Sequence, residues 1–274
     1  METIFRAGLF EGRVALITGG GTGIGRAIAE ELIHLGADVA ICGRRPEPLV
    51  QAAEELAALR EGARVHQASC DIRDADAVAA FVDGTVEALG PTDILVNNAG
   101  GQFPTTAQHL SSRGFEAVVR NNLLGTWNMT HAVASRAMIP RKQGRIVNVI
   151  AEVSRGFPGM VHTGAARAGV DNMTKTLAVE WSQFGIRCNA VAPGVIESSG
   201  TKQYPPQLLV QAKKANPLKR LGHPREVAHL VVYLCSPQAD FITGQTLTID
   251  GGASIWGEQW PIPDTVPQFP PYEK

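Results

Sequence analysis

Hydrophobic and polar positions divide this chain into two kinds of segment. Short runs that are apolar almost throughout, such as Val14–Ile17, predict strands buried on both faces of a parallel sheet. Longer segments in which apolar residues recur every three or four positions, such as Ile24, Ile28 and Leu32, predict amphipathic helices. The two kinds alternate, which predicts an α/β fold with one doubly wound parallel sheet and helices on both faces.

Seven strands follow from this pattern, at Val14–Ile17, Asp38–Cys42, Val65–Cys70, Ile94–Val96, Arg145–Ile150, Arg187–Val191 and Thr246–Asp250. After the helix that begins near Ile24, the longer segments predict helices at Leu49–Leu59, Ala75–Leu89, Phe115–Met138 and His162–Phe184. No repeat or linker-like break interrupts them, so we expect one domain over residues 1–274. Residues 196–220 predict a loop and short helix over the ligand. The proline-rich segment 256–274 predicts an extended tail on this subunit or a neighbour, or a frayed terminus.

A glycine-rich turn joins the first strand to the first helix. A strand that passes through glycines into a helix N-terminus presents backbone N–H groups and the positive end of the helix dipole to a phosphate. An ordinary strand–helix loop is the alternative, but the apolar strand before the turn and the helical pattern after it favour a dinucleotide site. The residues predicted to form it are Gly19, Gly21, Thr22, Gly23, Ile24 and Gly25.

Two arginines, Arg44 and Arg45, follow the second strand. An acidic residue at this place holds the ribose hydroxyls of NADH, whereas guanidinium groups suit the 2′-phosphate of NADPH. The sequence therefore predicts NADPH, with a solvated basic turn as the alternative. Asp71, beside Ile72 after the third strand, is placed to accept from the adenine amino group. The residues after the fourth strand are expected to pack past the adenosine ribose: Asn98, Ala99 and Gly100.

Charge and cysteine content narrow the class of partner. The 25 basic and 26 acidic residues nearly cancel, which disfavours nucleic acid or an anionic membrane as the partner. The apolar runs are too short to span a bilayer. Four widely spaced cysteines predict buried free thiols and no metal site. With no secretory pattern at the N-terminus, we expect a reducing, cytoplasmic setting.

Four motifs, taken together, resemble the short-chain dehydrogenase/reductase superfamily over Gly12–Gly252: Thr18-Gly19-x-x-x-Gly23-Ile24-Gly25, Asn97-Asn98-Ala99-Gly100, Asn122 in Asn-Leu-Leu-Gly, and Pro193-Gly194. The resemblance implies a Rossmann-type domain that binds a nicotinamide cofactor, with Pro193, Gly194 and Ile196 among its contacts. It also implies a homotetramer, with Phe115–Met138, His162–Phe184 and the last strand at its interfaces.

The superfamily's usual serine, tyrosine and lysine are absent. Alanine stands at the serine position, Ala151, threonine at the tyrosine position, Thr163, and arginine at the lysine position, Arg167. Neither threonine nor arginine titrates near neutral pH, so neither can replace a tyrosinate base. Ordinary alcohol dehydrogenase chemistry is therefore not expected.

Two stretches, Ala99–Phe103 and Val161–Lys175, are similar to the peroxisomal-type enoyl-CoA and 2,4-dienoyl-CoA reductases. This resemblance implies NADPH-dependent reduction of a conjugated C=C bond in an acyl-CoA. Asp171 stands where the dienoyl-CoA enzymes have a catalytic aspartate that acts through water. Arg167 matches the enoyl-CoA enzymes. The chain mixes the two patterns, so both substrates stay open.

The chemistry predicts roles for three catalytic candidates. Asn122 and a cofactor ribose hydroxyl polarise the thioester, Arg167 fixes the ribose and nicotinamide, and Asp171 orients a proton-donating water. Arg167 and Asp171 are four residues apart, so they can meet on one helix face. The alternative for Asp171 is a surface ion pair with Arg167 or Lys175.

The substrate pocket is predicted from residues that could equally belong to the core: Phe103, Phe157 and Thr163. His162 stands beside this site, and a cluster of cations could meet CoA phosphates or form a solvated face: Lys202, Lys213, Lys214, Lys219 and Arg220. Two other functions remain open, an atypical carbonyl reductase and a catalytically silent NADPH-binding sensor or scaffold.

Overall fold

A computed structural model describes residues 5–198, 201 and 206–268. All seven predicted strands form one parallel sheet in the order β3-β2-β1-β4-β5-β6-β7. Their bounds lie within two residues of the sequence pattern, and they are β1 Val14–Thr18, β2 Asp38–Gly43, β3 Val65–Ser69, β4 Ile94–Asn97, β5 Gly144–Val149, β6 Ile186–Pro193 and β7 Thr246–Ile249. The predicted fold class is confirmed.

The strand order reverses between β1 and β4. The chain runs outward through β1, β2 and β3, then returns to place β4 on the other side of β1, with Ile17 opposite Val96. Crossovers leave this point in opposite directions and open a crevice beyond the carboxyl ends of the strands, where doubly wound sheets bind ligands.

Helices cover both faces of the sheet. The principal helices are α1 Gly23–His34, α2 Pro46–Ala57, α3 Ala75–Leu89, α4 Ser112–Val119, α5 Gly125–Val133, α6 Ile139–Arg141, α7 Val161–Glu180, α8 Pro206–Lys214, α9 Pro224–Cys235 and α10 Ala253–Trp256. Side chains of α1, α2 and α9 pack into one core, and those of α3, α5 and α7 into another, with the sheet between them.

Two helical features differ from the sequence pattern. The predicted helix Phe115–Met138 is one helical run interrupted by π-helical turns at Arg120–Leu124 and Ala134–Met138. The crossover helix α9 was not predicted. Its start is fixed by a capping box in which the His223 imidazole accepts from Arg225 N and the Glu226 carboxylate accepts from His223 N.

Helix α8 lies in the segment predicted to cover the ligand, and residues 199–200 and 202–205 of that segment lie outside the described residues. The tail, described as far as residue 268, contacts the segment 196–220 of its own chain. Gln268 donates to the carbonyl of Leu218 at 2.9 Å, and Lys219 lies 4.2 Å above the Trp256 ring. None of the described helices is long and apolar enough to cross a membrane.

Candidate active site

A cleft of about 1380 Å³ lies at the carboxyl edge of the sheet. Its walls come from the β1–α1 turn, the ends of β2 through β6, α8 and the start of α10. Pockets for one small ligand measure about 300–1,000 Å³. The cleft therefore has room for a cofactor and a second ligand side by side.

The glycine turn forms the floor beneath the switch point. Gly19, Gly21, Thr22, Gly23 and Ile24 line the cleft, whereas Gly25 lies behind them. A Cβ on Gly25 would press on the Gly19 carbonyl and lie 2.5 Å from Asn98 Nδ2. Glycine is therefore required for α1 to approach β1, and the exposed backbone of the turn fits a pyrophosphate.

Hydrogen bonds tie this turn to the end of β4. The Thr18 hydroxyl accepts from Asn98 N at 3.0 Å and Ala99 N at 2.9 Å, and Asn98 Nδ2 donates to the Thr18 carbonyl at 3.0 Å. Asn98, Ala99 and Gly100 line the cleft as expected. The predicted binding residues of β1 and β4 thus form one continuous wall.

Arg44, Arg45, Asp71 and Ile72 lie together at the end of the cleft formed by β2 and β3. Both arginines are exposed. The Arg73 guanidinium, 2.5 Å from Asp71, lowers the pKa of this carboxyl to about 2. Asp71 is therefore ionised and available as an acceptor at neutral pH.

Two thiols also line this end of the cleft. Cys42 and Cys70 are buried and hydrogen-bonded to each other, so the expectation of buried free thiols is confirmed. This hydrogen bond and burial raise the pKa of the Cys42 thiol, while the same bond lowers that of Cys70. Their place in the cleft wall was not predicted.

Arg167 is a buried cation in the middle of the wall. Its Nη1 donates to the Val149 carbonyl at 3.1 Å, and its Nη2 fills the space where a Cβ on Gly100 would lie. Burial lowers its pKa to about 10, so the guanidinium stays charged at neutral pH. Its Nε has no hydrogen-bond partner among the described residues. Because the Arg167 side chain lines the cleft and stays charged, its guanidinium suits an oxygen of a bound ligand.

Asn122 lies behind the wall and forms no part of it. It is fully buried in the first π-helical turn, its Oδ1 accepts from Gly101 N at 2.9 Å, and its Nδ2 donates to the Gly101 carbonyl at 3.0 Å. The polarising contact with a thioester stays a prediction, and in this structure both groups of the amide are hydrogen-bonded to the backbone after β4. Asn122 shapes the cleft by holding Gly101.

Asp171 does not pair with Arg167, so that prediction is wrong. Its carboxylate accepts from Lys175 Nζ at 2.5 Å and from the Thr246 hydroxyl, outside the described cleft wall. Arg167 extends to the end of β5, whereas Asp171, one turn further along α7, extends to β7. Burial opposes ionisation, but the bonds from Lys175 and Thr246 lower the pKa of Asp171. The alternative, an ion pair with Lys175, is what the structure shows.

One of the three predicted substrate residues lines the cleft, namely Phe157. Phe103 lies outside the described wall, 41% exposed, with its ring 4.7 Å from that of His162 in an edge arrangement. Thr163 is fully buried, and its hydroxyl lies 3.3 Å from His162 Nδ1. Phe103 and Thr163 are therefore not among the described residues that line the cleft, and their contact with a substrate stays a prediction.

The end of the cleft formed by β5, β6 and β7 was only partly predicted. Pro193, Gly194 and Ile196 line it, as does Ala151, which stands at the serine position. Sequence reasoning missed three charged residues there, Glu152, Arg155 and Asp250. Their place directly after a strand that ends at the site was the available signal. No tyrosine is among the described residues of the wall.

The comparisons with known proteins agree with this geometry. Residues 19–254 match the family model described as Enoyl-(Acyl carrier protein) reductase. A protein of Danio rerio named peroxisomal 2,4-dienoyl-CoA reductase is 40% identical over 256 residues, which are 91% of this chain and 84% of the relative. The chain belongs to the short-chain dehydrogenase/reductase family.

Two further relatives cover almost all of this short-chain dehydrogenase/reductase. A probable 2,4-dienoyl-CoA reductase of Bacillus subtilis is 38% identical over 260 residues, 92% of this chain and all of the relative. The solved structure of a citronellol catabolism dehydrogenase from Pseudomonas aeruginosa PAO1 is 43% identical, with a TM-score of 0.83, and covers 93% of this chain and all of that one.

Membership makes this chain an oxidoreductase that uses a nicotinamide cofactor. The residues present fit that group, since the turn at Gly19 and Gly25 has no room for side chains and leaves its backbone open to the cleft. Arg167 stands beside it as a charged, partly unpaired donor.

Proposed function

We propose that this protein reduces a conjugated C=C bond of an acyl-CoA, a 2,4-dienoyl-CoA or a trans-2-enoyl-CoA, with NADPH. The observation that carries the proposal is the identity of the residues around the cleft. Thr163 is buried behind the wall, Ala151 lies on it, and a charged arginine replaces the lysine. A conjugated thioester needs no tyrosinate base, because hydride addition leaves the negative charge on its carbonyl oxygen.

The cofactor form is proposed from the arginines at the end of β2. Arg44 and Arg45 are exposed on the wall, at the place where NADH-binding proteins of this fold carry an acid. Guanidinium groups form bidentate, charge-assisted hydrogen bonds with a phosphate. This chemistry favours the 2′-phosphate of NADPH.

In this proposal, the side chains of the protein hold the cleft in shape and place a positive charge beside the reacting oxygen. When bound, the nicotinamide supplies the hydride. Arg167 is desolvated and keeps its positive charge, so it stabilises an anionic oxygen more strongly than an exposed cation would. Asn122 holds the Gly101 backbone at the edge of the cleft. Asp171 joins α7 to β7 as a positioning residue, and water in the cleft supplies the proton.

The names of the relatives support the substrate class. The Danio rerio and Bacillus subtilis proteins are named 2,4-dienoyl-CoA reductases, and the family model is described as an enoyl reductase. The Pseudomonas relative is named for citronellol catabolism, so aldehydes and ketones of terpenoid type belong in the same assay.

The test follows NADPH absorbance with a 2,4-dienoyl-CoA, a trans-2-enoyl-CoA and a panel of aldehydes and ketones. Oxidation of NADPH by either thioester, with the panel at least a hundredfold slower, is the expected result. Turnover of the carbonyl panel alone would replace the proposal with carbonyl reduction. NADPH binding without turnover of any substrate would make the protein a catalytically silent binder.

A further inference from the structure

Arg155 is an exposed cation on the cleft wall that the proposed cofactor site does not use. The other cations that the structure places on the described wall are Arg44, Arg45 and Arg167. Arg44 and Arg45 are assigned to the 2′-phosphate, and Arg167 is buried between the ends of β4 and β5. Arg155 therefore needs a separate explanation.

The position of Arg155 separates it from the proposed site of the cofactor's 2′-phosphate. It follows β5, and three strand spacings of about 4.8 Å, roughly 14 Å, separate β5 from β2. Its side chain extends toward the segment after β7, where a Cβ on Gly257 would lie 3.9 Å from Nη1. The cofactor's pyrophosphate already has a site at the glycine turn after β1, two strand spacings from β5. An anion held by Arg155 would therefore belong to the second ligand of the cleft.

A hydrogen-bonded turn presents this arginine. Gly156 N donates to the Val153 carbonyl at 3.0 Å. The Glu152 carboxylate accepts from Ser154 N at 2.8 Å and from the Thr248 hydroxyl of β7 at 2.8 Å. Burial opposes ionisation of Glu152, but these two bonds lower its pKa. The turn is thereby anchored to the sheet, and Arg155 lies at its exposed side.

The carboxylates of this end of the cleft are engaged elsewhere. Both oxygens of Glu152 serve the turn, and Asp250 accepts from Gly252 N at 2.8 Å and Ser254 N at 2.7 Å. Each carboxylate thus has one hydrogen bond on each of its two oxygens, and within the described part of the chain neither is hydrogen-bonded to Arg155.

The cation cluster predicted to meet CoA phosphates is not on the described wall. Lys219 donates to the Lys214 carbonyl at 2.9 Å, and Arg220 pairs with Glu226 at 2.6 Å. Lys213 is also outside the described wall, and Lys202 lies outside the described residues. Among the described residues of the loops directly after β5, β6 and β7, Arg155 is the cation that lines the cleft.

We propose that Arg155 binds a phosphate of the CoA carrier. The protein would thereby select CoA thioesters over thioesters whose carrier has no phosphate. The identity of the carrier rests on the proposed function, whereas the anion site rests on the position of Arg155. Arginine presents several donors to one phosphate, so the contact is charge-assisted and weakened by salt.

The test compares two thioesters with the same acyl group, one on CoA and one on pantetheine, which has no phosphate. We expect Arg155→Ala to raise KM for the CoA thioester about tenfold with kcat unchanged, and to leave KM for the pantetheine thioester unchanged. Arg155→Lys should recover part of the loss, and the difference should shrink as salt rises. Arg6→Ala, an exposed arginine outside the described wall, is the matched control for a lost surface charge.

An equal rise in KM for both thioesters, or no change for the CoA thioester, would overturn the phosphate contact. If the unaltered protein reduces neither thioester, the proposed function fails and calorimetric titration with CoA decides the inference separately. Binding of CoA that weakens about tenfold in Arg155→Ala would support the anion site on its own. Absent or equal binding would refute it.

Discussion

At the scale of single residues, the structure separates side chains that face the cleft from side chains that hold the cleft in place. Arg167 belongs to the first group because its guanidinium is buried, charged and on the wall. Asn122 belongs to the second, since its amide is paired with Gly101. Two residues predicted to act together in catalysis, Arg167 and Asn122, thus contribute in different ways.

The arginines after β2 give a prediction about cofactor choice. Arg44→Ala should weaken NADPH binding by about tenfold or more, because a charge-assisted contact with the 2′-phosphate is lost, and should change NADH binding less than twofold. Fluorescence titration with each cofactor measures both constants on one preparation. Equal losses for the two cofactors would refute the assignment.

Asp171 gives a prediction that separates its two roles. Asp171→Asn removes the ion pair with Lys175, whose Nζ-bearing side chain is 55% exposed, so stability should fall by at most about 1 kcal/mol. Because the carboxylate lies outside the described wall, kcat should stay within about twofold of the original value. Loss of most turnover with intact NADPH binding would restore the water-relay role and reject the positioning role.

At the scale of secondary-structure elements, the apolar strands were predictable because burial on both faces leaves a simple signature. The pattern placed all seven strands, and Ala75–Leu89 agrees at both ends. The π-helical turn at Arg120–Leu124 has no comparable signature, so the inward rotation of Asn122 could not be foreseen. Helix α9 was missed although His223-Pro224 and Glu226 form a recognisable helix start.

The parts of the site formed by backbone segments could be predicted from the sequence. The directions in which long side chains extend could be predicted less well. The glycine turn and the ends of β2, β4 and β6 all line the cleft. Helical spacing alone suggested that Arg167 and Asp171 meet, yet their long and short side chains extend to different strands. Helical spacing determines the position of each Cβ, whereas contacts with other elements determine where the charged end of the side chain lies.

The capping box of α9 provides an element-scale prediction. Glu226→Gln should lower stability by about 1–2 kcal/mol, since its carboxylate accepts from His223 N and from both terminal nitrogens of Arg220. Calorimetry should show Tm falling by about 2–4 °C per kcal/mol. Glu55→Gln, an exposed carboxylate paired with Arg26, should change Tm far less.

The difference in Tm between the original protein and Glu226→Gln should decrease as the pH is lowered. Hydrogen bonds from Arg220 lower the folded-state pKa of Glu226 below its unfolded value, so the contribution is fully present above about pH 4.3 and is lost as pH falls further. The Tm gap between the original protein and Glu226→Gln should therefore narrow below pH 4. A gap independent of pH would mean that shape, not charge, fixes the helix start.

At the scale of the whole molecule, the long cleft joins two chemically different ends. The end at β2 and β3 carries Arg44, Arg45 and Asp71, whereas the end at β5 to β7 is closed by α8 and α10. The tail crosses back to the segment before α9 through Trp256 and Gln268. Residues from the whole length of the sheet, from β3 to β7, thus contribute to one cleft.

Exposed apolar residues bear on the predicted homotetramer. Phe115 on α4, Leu124 in the first π-helical turn and Trp127 on α5 are 37–47% exposed, within the segment predicted as an interface. Leu124→Glu should shift the mass measured by light scattering from tetramer toward dimer or monomer, because a charge would be buried without a partner. Val50→Glu on α2, with similar exposure, should not. A monomeric original protein would refute the tetramer.

The contact between Gly100 and Arg167 has a consequence for how such a site can change over generations. The guanidinium occupies the volume in which any side chain at position 100 would begin, so the two positions cannot vary independently. A lineage that first gained alanine at position 100 would displace the guanidinium of Arg167. A lineage that first replaced Arg167 by a shorter residue would leave space for a side chain at position 100. A side chain at position 100 therefore comes together with either a displaced guanidinium or a shorter residue at position 167.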